Sequence, residues 1–462
     1  MKLTSYGAAQ GVTGSCHVIE TGAHKIMLDC GIFQGRQGRE QNEPPLPFDA
    51  SSIDIVLVSH AHLDHIGRLP LLPKEGFAGR VLSNRATYEL ARVSLLDSAR
   101  IIDSDTRRRN KRRRDGEAIV EALYDDGDVL ELIDLWNEYV DYDQRTEILP
   151  GVHATFFDAG HILGSSFILL EAMEQGQPKR FLFSGDLGNV DKPIINDPTP
   201  PPTADVVLME STYGDRSHRP FDQSVVELEA AICDTVERGG NLLIPSFAME
   251  RAQELLYVLY EAWRAGRIPQ DVHIYLDSPM AINVTKIFTR FPGYFDQDAL
   301  DMAKRGGNPF EFPALSYTRS SSDSKDINQR KHSAIIVAGS GMCSGGRILH
   351  HLKHNLHRPE CGVVFCGYQA SGSLGRRIVN GDDEVYIHRQ PVEVRAKVYT
   401  IGGFSGHAGQ DTLTEWAQAT QAQTIVLVHG EQDVREAFAR HLKRQGVDAE
   451  MINQSFENTV EF

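Results

Sequence analysis

Four side chains able to bind a metal fall within six positions of one stretch, His60, His62, Asp64 and His65 in Val58-Ser59-His60-Ala61-His62-Leu63-Asp64-His65-Ile66-Gly67. Neutral imidazole suits zinc and related transition metals, and a carboxylate adds a hard oxygen and neutralises charge. In an extended loop His60 and His62 can reach one ion while Asp64 and His65 turn toward a second. The apolar run at residues 53–58 reads as a buried strand. The four ligands therefore sit on the loop at its C-terminal end, a placement that solvated histidines would not need.

The same format recurs along the chain. Strand-like residues 152–157 lead into His161, residues 181–183 into Asp186, and residues 425–428 into His429. Residues 16–19 and 25–28 read as a hairpin whose second strand ends in Asp29. Asp29 either caps a turn or orients a metal ligand from behind. Asp186 could offer one oxygen to each of two ions. Glu210 closes the strand 205–209, and His407 stands in a glycine- and serine-rich loop where it could titrate. A single His or Asp in a turn is usually structural; the repeated placement at strand ends points to a shared site.

The rest of the chain must position these groups. Its 462 residues exceed one usual domain, and 41% hydrophobic content supports full cores. The net charge of −16 gives no global sign of nucleic-acid binding, although a local basic groove is compatible with it. The six cysteines form no C-x-x-C pair, which indicates neither a zinc finger nor a disulfide framework. No apolar run approaches a membrane span, and the first residues lack the apolar core of a signal peptide, so a cytoplasmic enzyme is expected.

Residues 67–72 and 87–102 read as helical. Residues 107–114 carry seven cations in eight positions, either a solvated face or an arm contacting phosphates. Acidic sequence at 117–143 reads as helical, with Leu130, Ile133, Leu135 and Trp136 as packing residues. The proline-rich stretch 193–202 reads as a linker. Strand and helix then alternate, with strands at 241–247, 272–276, 335–338 and 363–365 and a helix at 250–266. Two strand–glycine loop–helix units carry Ser340 and Gly341, then Ser371, Gly372, Ser373 and Arg376. Such loops can cradle phosphate, and also occur at ordinary tight turns. No Walker or dinucleotide fingerprint accompanies them. His350, His351 and His354 read as a polar helix face rather than a third metal site. Strands return at 384–387 and 394–400.

In this order the motifs resemble those of the β-CASP ribonucleases of the metallo-β-lactamase superfamily. That group includes the endonuclease of eukaryotic mRNA 3′-end processing, its archaeal relatives and bacterial ribonuclease J. Asp29 matches the first motif, His60, His62, Asp64 and His65 the second, His161 the third and Asp186 the fourth. Glu210 in Glu-Ser-Thr-Tyr-Gly matches motif A, His407 in Phe-Ser-Gly-His motif B, and His429 in Val-His-Gly-Glu motif C.

The resemblance implies an α/β fold, an αββα metallo-β-lactamase sandwich in residues 1–208 and 391–462 with an inserted α/β β-CASP domain at 209–390. The active site is expected in the cleft between them. It implies two zinc ions, one on His60, His62 and His161, the other on Asp64, His65 and His429, with Asp186 between them and Asp29 behind. A hydroxide held by both metals would cut RNA to 5′-phosphate and 3′-hydroxyl ends, with Asp64, His407 and Glu210 as catalytic residues. His407 would serve as proton donor and Glu210 would orient it. A histidine at motif C is typical of the RNA-acting branch, so the expected partner is an RNA substrate, with no membrane and with homodimerisation left open. A small-molecule metallohydrolase of the same superfamily would share the first four motifs, but has no reason to carry the inserted domain or the last two.

Overall fold

The computed structural model describes residues 1–35, 38–43, 45–113, 118–330, 332–370, 372–451 and 458–461. Arg114, Glu117 and Ser371 lie outside the described residues. The chain divides into two units. One comprises Met1–Val190, Asp197–Ser217 and His407–Phe462; the other comprises Asp191–Asn196 and His218–Gly406. The borders expected from the sequence fall after residues 208 and 390.

The first unit holds two seven-stranded sheets among its described residues. The first sheet contains β1 (Lys2–Gly7), β2 (Cys16–Thr21), β3 (His24–Leu28), β4 (Ile55–Leu57), β5 (Arg80–Ser83) and β6 (Glu138–Tyr139). The second contains β7 (Thr146–Leu149), β8 (Val152–Asp158), β9 (Ser166–Glu174), β10 (Gln177–Phe183) and β11 (Val206–Glu210).

The second unit carries β12 (Leu242–Pro245), β13 (His273–Leu276), β14 (Leu315–Tyr317), β15 (Ala334–Ala338), β16 (Gly362–Cys366), the hairpin β17 (Glu384–Ile387) and β18 (Gln390–Glu393), and β19 (Lys397–Ile401). The chain then returns to the first unit with β20 (Thr424–Val428), β21 (Ala449–Met451) and β22 (Asn458–Glu461).

In the first unit the strand orders are β22-β1-β2-β3-β4-β5-β6 and β21-β20-β11-β10-β9-β8-β7. Alternation along each strand decides the layers. Leu208 packs into a core shared with Leu3, Ile26, Leu57 and Phe181, drawn from both sheets. Val207 and Met209 point the other way, onto Leu413, Trp416, Phe438 and Leu442 of the helices Gln410–Ala419 and Gln432–Arg444. The result is two sheets face to face with helices outside, the αββα arrangement.

Strand direction matters for the site. β3, β4 and β5 run parallel. β9 reverses between β8 and β10, so those two run alike, and β11 and β20 continue in parallel. The C-terminal ends of β8, β10, β11 and β20 thus gather on one edge.

The second unit is a parallel sheet ordered β14-β13-β15-β12-β16-β19. Strands such as Ala334-Ile335-Ile336-Val337-Ala338 are buried along their whole length, as a sheet covered on both faces requires. No helix of the described residues is long and apolar enough to cross a membrane.

Several local expectations need correction. Residues 67–72 are not one helix; Leu63–Ile66 and Leu71–Lys74 are, and Asp64 and His65 therefore sit on a first helical turn. The helix expected at 87–102 runs from Arg85 to Lys111, and Asn84 caps its start. The cation run up to Lys111 is therefore the end of that helix, since arginine and lysine are good helix formers. The acidic segment is helical only at Asp126–Leu135, where Asp125 and Asp128 form a capping box. Its inward face is Val129 and Leu132, with Trp136 following, while Leu130 is exposed. His351 is not on a polar face: it is fully buried, and its Nε2 lies 2.6 Å from Asp277 Oδ2.

Candidate metal centre

Seven of the predicted residues converge in the first unit, five of them delivered by the end of a strand. His60 and His62 follow β4, His161 follows β8, Asp186 follows β10 and His429 follows β20. Asp64 and His65 come from the helical turn after β4. That turn is held close: Ser15 N donates to Asp64 O at 2.8 Å, and Cys30 N to His65 O at 2.7 Å. Gly31 allows the approach, because a Cβ there would stand 1.6 Å from Asp64 O.

The ligand atoms form two nests. In the first, His62 Nδ1 lies 3.1 Å from His60 Nε2 and 3.1 Å from His161 Nε2. In the second, His65 Nε2 lies 3.2 Å from His429 Nε2, and Asp64 Oδ2 lies 3.7 Å from the same His429 nitrogen. Asp186 divides its oxygens. Oδ2 is 3.5 Å from His60 Nε2 and 3.7 Å from His161 Nε2, while Oδ1 is 3.2 Å from His65 Nε2 and also 3.5 Å from Nδ1, the non-ligand nitrogen, of His429. Atoms bound at 2.0–2.1 Å to one tetrahedral zinc stand about 3.3 Å apart, so these separations fit the edges of two such sites. Asp186 Oδ1 is buried and accepts no hydrogen bond, which an ion would satisfy.

Three hydroxyl or carboxylate groups behind the ligands fix which imidazole nitrogen is free. Asp29 Oδ2 accepts from Ser59 Oγ at 2.7 Å and faces His65 Nδ1 at 2.7 Å; Oδ1 accepts from Ser59 N at 2.8 Å. Because the Ser59 hydroxyl proton goes to Asp29, its oxygen is left to accept from His60 Nδ1, 3.0 Å away. Thr212 repeats the device: its hydroxyl donates to His429 O at 3.1 Å and lies 3.0 Å from His429 Nδ1. In each case Nδ1 carries the proton and Nε2 presents its lone pair. Ser59 and Thr212 were missed in the sequence reading. A serine directly before the first histidine and a threonine two residues after Glu210 were the only signals.

The electrostatics suit metal binding. Burial pushes His60 well below its ordinary pKa and His62 down to about 4, so both keep free lone pairs. Burial works to raise Asp186, but His429, His65 and His60 prevail and hold it well below the usual carboxylate range. Burial also disfavours charge on His65, yet the carboxylates of Asp186 and Asp29 outweigh it and raise its pKa. His17, buried against Ser5 and Ser15, is lowered to about 3 chiefly by burial and stays neutral.

His407 stands beside both nests without joining either. Its Nδ1 is 3.2 Å from Glu210 Oε1 and 3.9 Å from Asp186 Oδ2, and its backbone bridges Gly188. Glu210 is buried and fixed by the backbone, accepting from Leu187 N at 2.7 Å and Thr212 N at 3.2 Å. Burial opposes protonation of His407, but Glu210 and Asp186 raise its pKa to about 9. Asp186, Glu210 and His407 also lie close enough to hold a cation. The amides on Glu210 already occupy both of its oxygens, which favours a hydrogen-bonded imidazolium over a third metal site.

The predicted phosphate loops belong to the second unit and are engaged internally. Ser340 Oγ accepts from Ser344 N and Gly345 N, and Ser373 Oγ caps its own helix at Arg376 N. Arg376 donates to Gln369 O at 2.7 Å and stacks over Tyr368. Gly341 packs against Phe247, and Gly372 takes a left-handed turn.

Three family descriptions match this chain: the Metallo-beta-lactamase superfamily at residues 9–232, the Beta-Casp domain at 252–378, and the Zn-dependent metallo-hydrolase RNA specificity domain at 391–452. It is similar to Ribonuclease TTHA0252 of Thermus thermophilus, with 40% identity over 98% of each protein. It is also similar to Transcription termination factor FttA of Methanosarcina mazei, 31% identical over 94% of this chain and 67% of that one. Endoribonuclease YSH1 of Saccharomyces cerevisiae is 30% identical over 93% of this chain and 54% of its own length. A crystal structure of a protein of unknown function from Enterococcus faecalis shares the fold, with TM-score 0.52 and 11% identity over 99% of each chain.

Proposed function

Because this chain belongs to the β-CASP ribonucleases of the metallo-β-lactamase superfamily, and is thus a metal-dependent nuclease of RNA, we propose that it works with two zinc ions and an acid–base pair set beside them. His60 Nε2, His62 Nδ1 and His161 Nε2 would hold one ion; Asp64 Oδ2, His65 Nε2 and His429 Nε2 would hold the other. The observation that carries this reading is Asp186, whose two oxygens face different histidine nests. When bound, such ions make a water-derived nucleophile available at neutral pH and stabilise charge on the phosphate.

The chain's own residues do the rest. Asp29, Ser59 and Thr212 keep His65, His60 and His429 in the tautomer that leaves Nε2 free. Glu210, pinned by two backbone amides, holds His407 protonated and fixes its Nδ1. His407 Nε2 is then the nitrogen that can give a proton to the leaving 3′ oxygen of RNA. Cleavage of that bond by water leaves a 5′-phosphate and a 3′-hydroxyl, with no need of the ribose 2′-hydroxyl as nucleophile.

The test compares two histidines. Zinc analysis of the wild-type chain should give about two equivalents. His407→Ala should keep both ions and RNA binding yet cleave about 10²–10⁴-fold more slowly, the usual worth of a general acid. On an activated aryl phosphodiester, whose leaving group needs no proton, that defect should shrink. His429→Ala should lose one ion, and the activated substrate should not restore it. Loss of zinc from His407→Ala, or an equal defect on both substrates, would refute the proton-donor role.

A further inference from the structure

The helix Arg85–Lys111 starts against the candidate metal centre and ends in a dense cluster of cations. At its start Thr87 Oγ1 donates to Gly164 O at 2.6 Å, in the turn that carries His161. Its buried side runs from Ala86 to Ala99, which fixes the first half of the helix to the first unit. The final turns project beyond that packing. Six cations occupy the seven positions 107–113 of a chain whose net charge is −16.

The side chains of Arg107 and Arg108 are 75% and 71% exposed, each beside one acid of its own helix, Asp103 at 2.8 Å and Asp105 at 3.5 Å. Arg109 reaches Glu43 at 3.2 Å. Lys111 and Arg112 have no carboxylate partner among the described residues. Asn110 clamps the returning chain, accepting from Val120 N at 3.0 Å and donating to Val120 O at 2.8 Å. Arg109, Asn110 and Arg113 line a concavity of about 330 Å³ there.

Cations in a last helical turn offset the helix dipole, but one or two suffice for that. Exposed ion pairs add little stability, so the three acids can yield their partners to phosphates.

We propose that this helix end is a phosphate-binding outpost for the RNA substrate, held at a fixed distance from the point of cleavage; the proposal rests on the ribonuclease reading above. Counting along the helix from Thr87 to Arg107 at 1.5 Å per residue, that distance is about 30 Å. A stacked strand advances 3.4 Å per nucleotide, so a straight stacked strand covers the gap in about nine nucleotides, and an extended strand in fewer. RNA too short to span the gap is bound by the centre alone, whereas longer RNA engages both. The outpost therefore makes affinity depend on substrate length.

The experiment uses the full zinc-loaded chain and the combined variant Arg107→Gln, Arg108→Gln, Arg112→Gln and Arg113→Gln. Two unstructured RNAs, of about 3 and about 25 nucleotides, lie on either side of that span even when the strand is extended. For the long RNA, binding by fluorescence anisotropy should weaken at least about tenfold, and the log–log salt slope should flatten by about 2–3 for four cations removed. For the short RNA, kcat/KM should stay within about twofold, inside the range expected if no phosphate contact is lost. Unchanged affinity and salt slope for the long RNA, or equal losses on both RNAs, would overturn the proposal. If the wild type binds long RNA through this cluster but cuts neither RNA, the outpost stands and the ribonuclease reading fails instead.

Discussion

Replacing Asp29 by Asn tests whether one buried carboxylate sets the protonation of both metal nests. The substitution conserves shape, and Asn tolerates the left-handed backbone that Asp29 adopts at φ 58°. Oδ1 can still accept from Ser59 N. The change falls on Oδ2, which accepts from Ser59 Oγ and faces His65 Nδ1, both at 2.7 Å. An amide nitrogen there donates instead of accepting. His65 must then accept at Nδ1 and carry its proton on Nε2, the atom that faces His429 and Asp186. Ser59 must turn its hydroxyl toward His60 Nδ1, which moves the His60 proton to Nε2 as well. One isosteric change thus puts a proton on a ligand atom in each nest.

Loss of a single partner behind a metal ligand usually weakens binding 10–100-fold, so both zinc affinities should fall by about that factor. Competition with a chromophoric chelator reads the two affinities, and a thermal melt of the chelated protein checks the fold. The expected result is two weakened sites with the melting temperature of the chelated protein little changed. If both sites keep wild-type affinity, or only one weakens, the relay through Ser59 is wrong.

Two further outcomes follow from other positions. Gly31→Ala would set a Cβ 1.6 Å from Asp64 O and displace the turn that carries Asp64 and His65, so zinc analysis should show selective loss of the second ion while the His60, His62 and His161 nest keeps its own. In the second unit, Asp277 is fully buried and accepts from Ser324 Oγ, faces His351 Nε2 and pairs with Arg347 Nη1, each at 2.6 Å. Burial works to raise its pKa, but those partners with Thr318 hold it far below the ordinary 3.8. A depressed carboxylate contributes stability above its unfolded pKa and loses it as pH falls toward the folded value. Unfolding followed by peptide-level hydrogen exchange around Asp277 should therefore show stability declining below about pH 4. Asp277→Asn should remove much of that dependence and cost about 3 kcal/mol at neutral pH, because it leaves the part-buried Arg347 guanidinium without its anion. An unchanged pH profile in the variant would count against this account.

The ligand types were legible in the sequence because each stands where a hydrophobic run stops. A buried strand is written as apolar residues, and the polar residue that ends it is exposed to interpretation without any tertiary knowledge. His60, His62, Asp64, His65, His161, Asp186 and His429 were all singled out this way, whereas the αββα layers followed from the family resemblance and are seen only in the packing on either side of β11 around Leu208. The cation run was legible as charge but not as helix, since local charge does not say whether the preceding helix continues; the packing of its first half against the first unit decides that it reaches Lys111.

The hydroxyl partners were beyond local reading. Thr212 meets His429 across 217 positions of chain, His65 meets His429 across 364, and His351 meets Asp277 across 74. Serine and threonine are common in every loop, so neither composition nor spacing marks the two that hold a tautomer. Only the parallel pairing of β11 with β20 brings Thr212 to His429, and the proton on each imidazole is decided by what the fold places behind it.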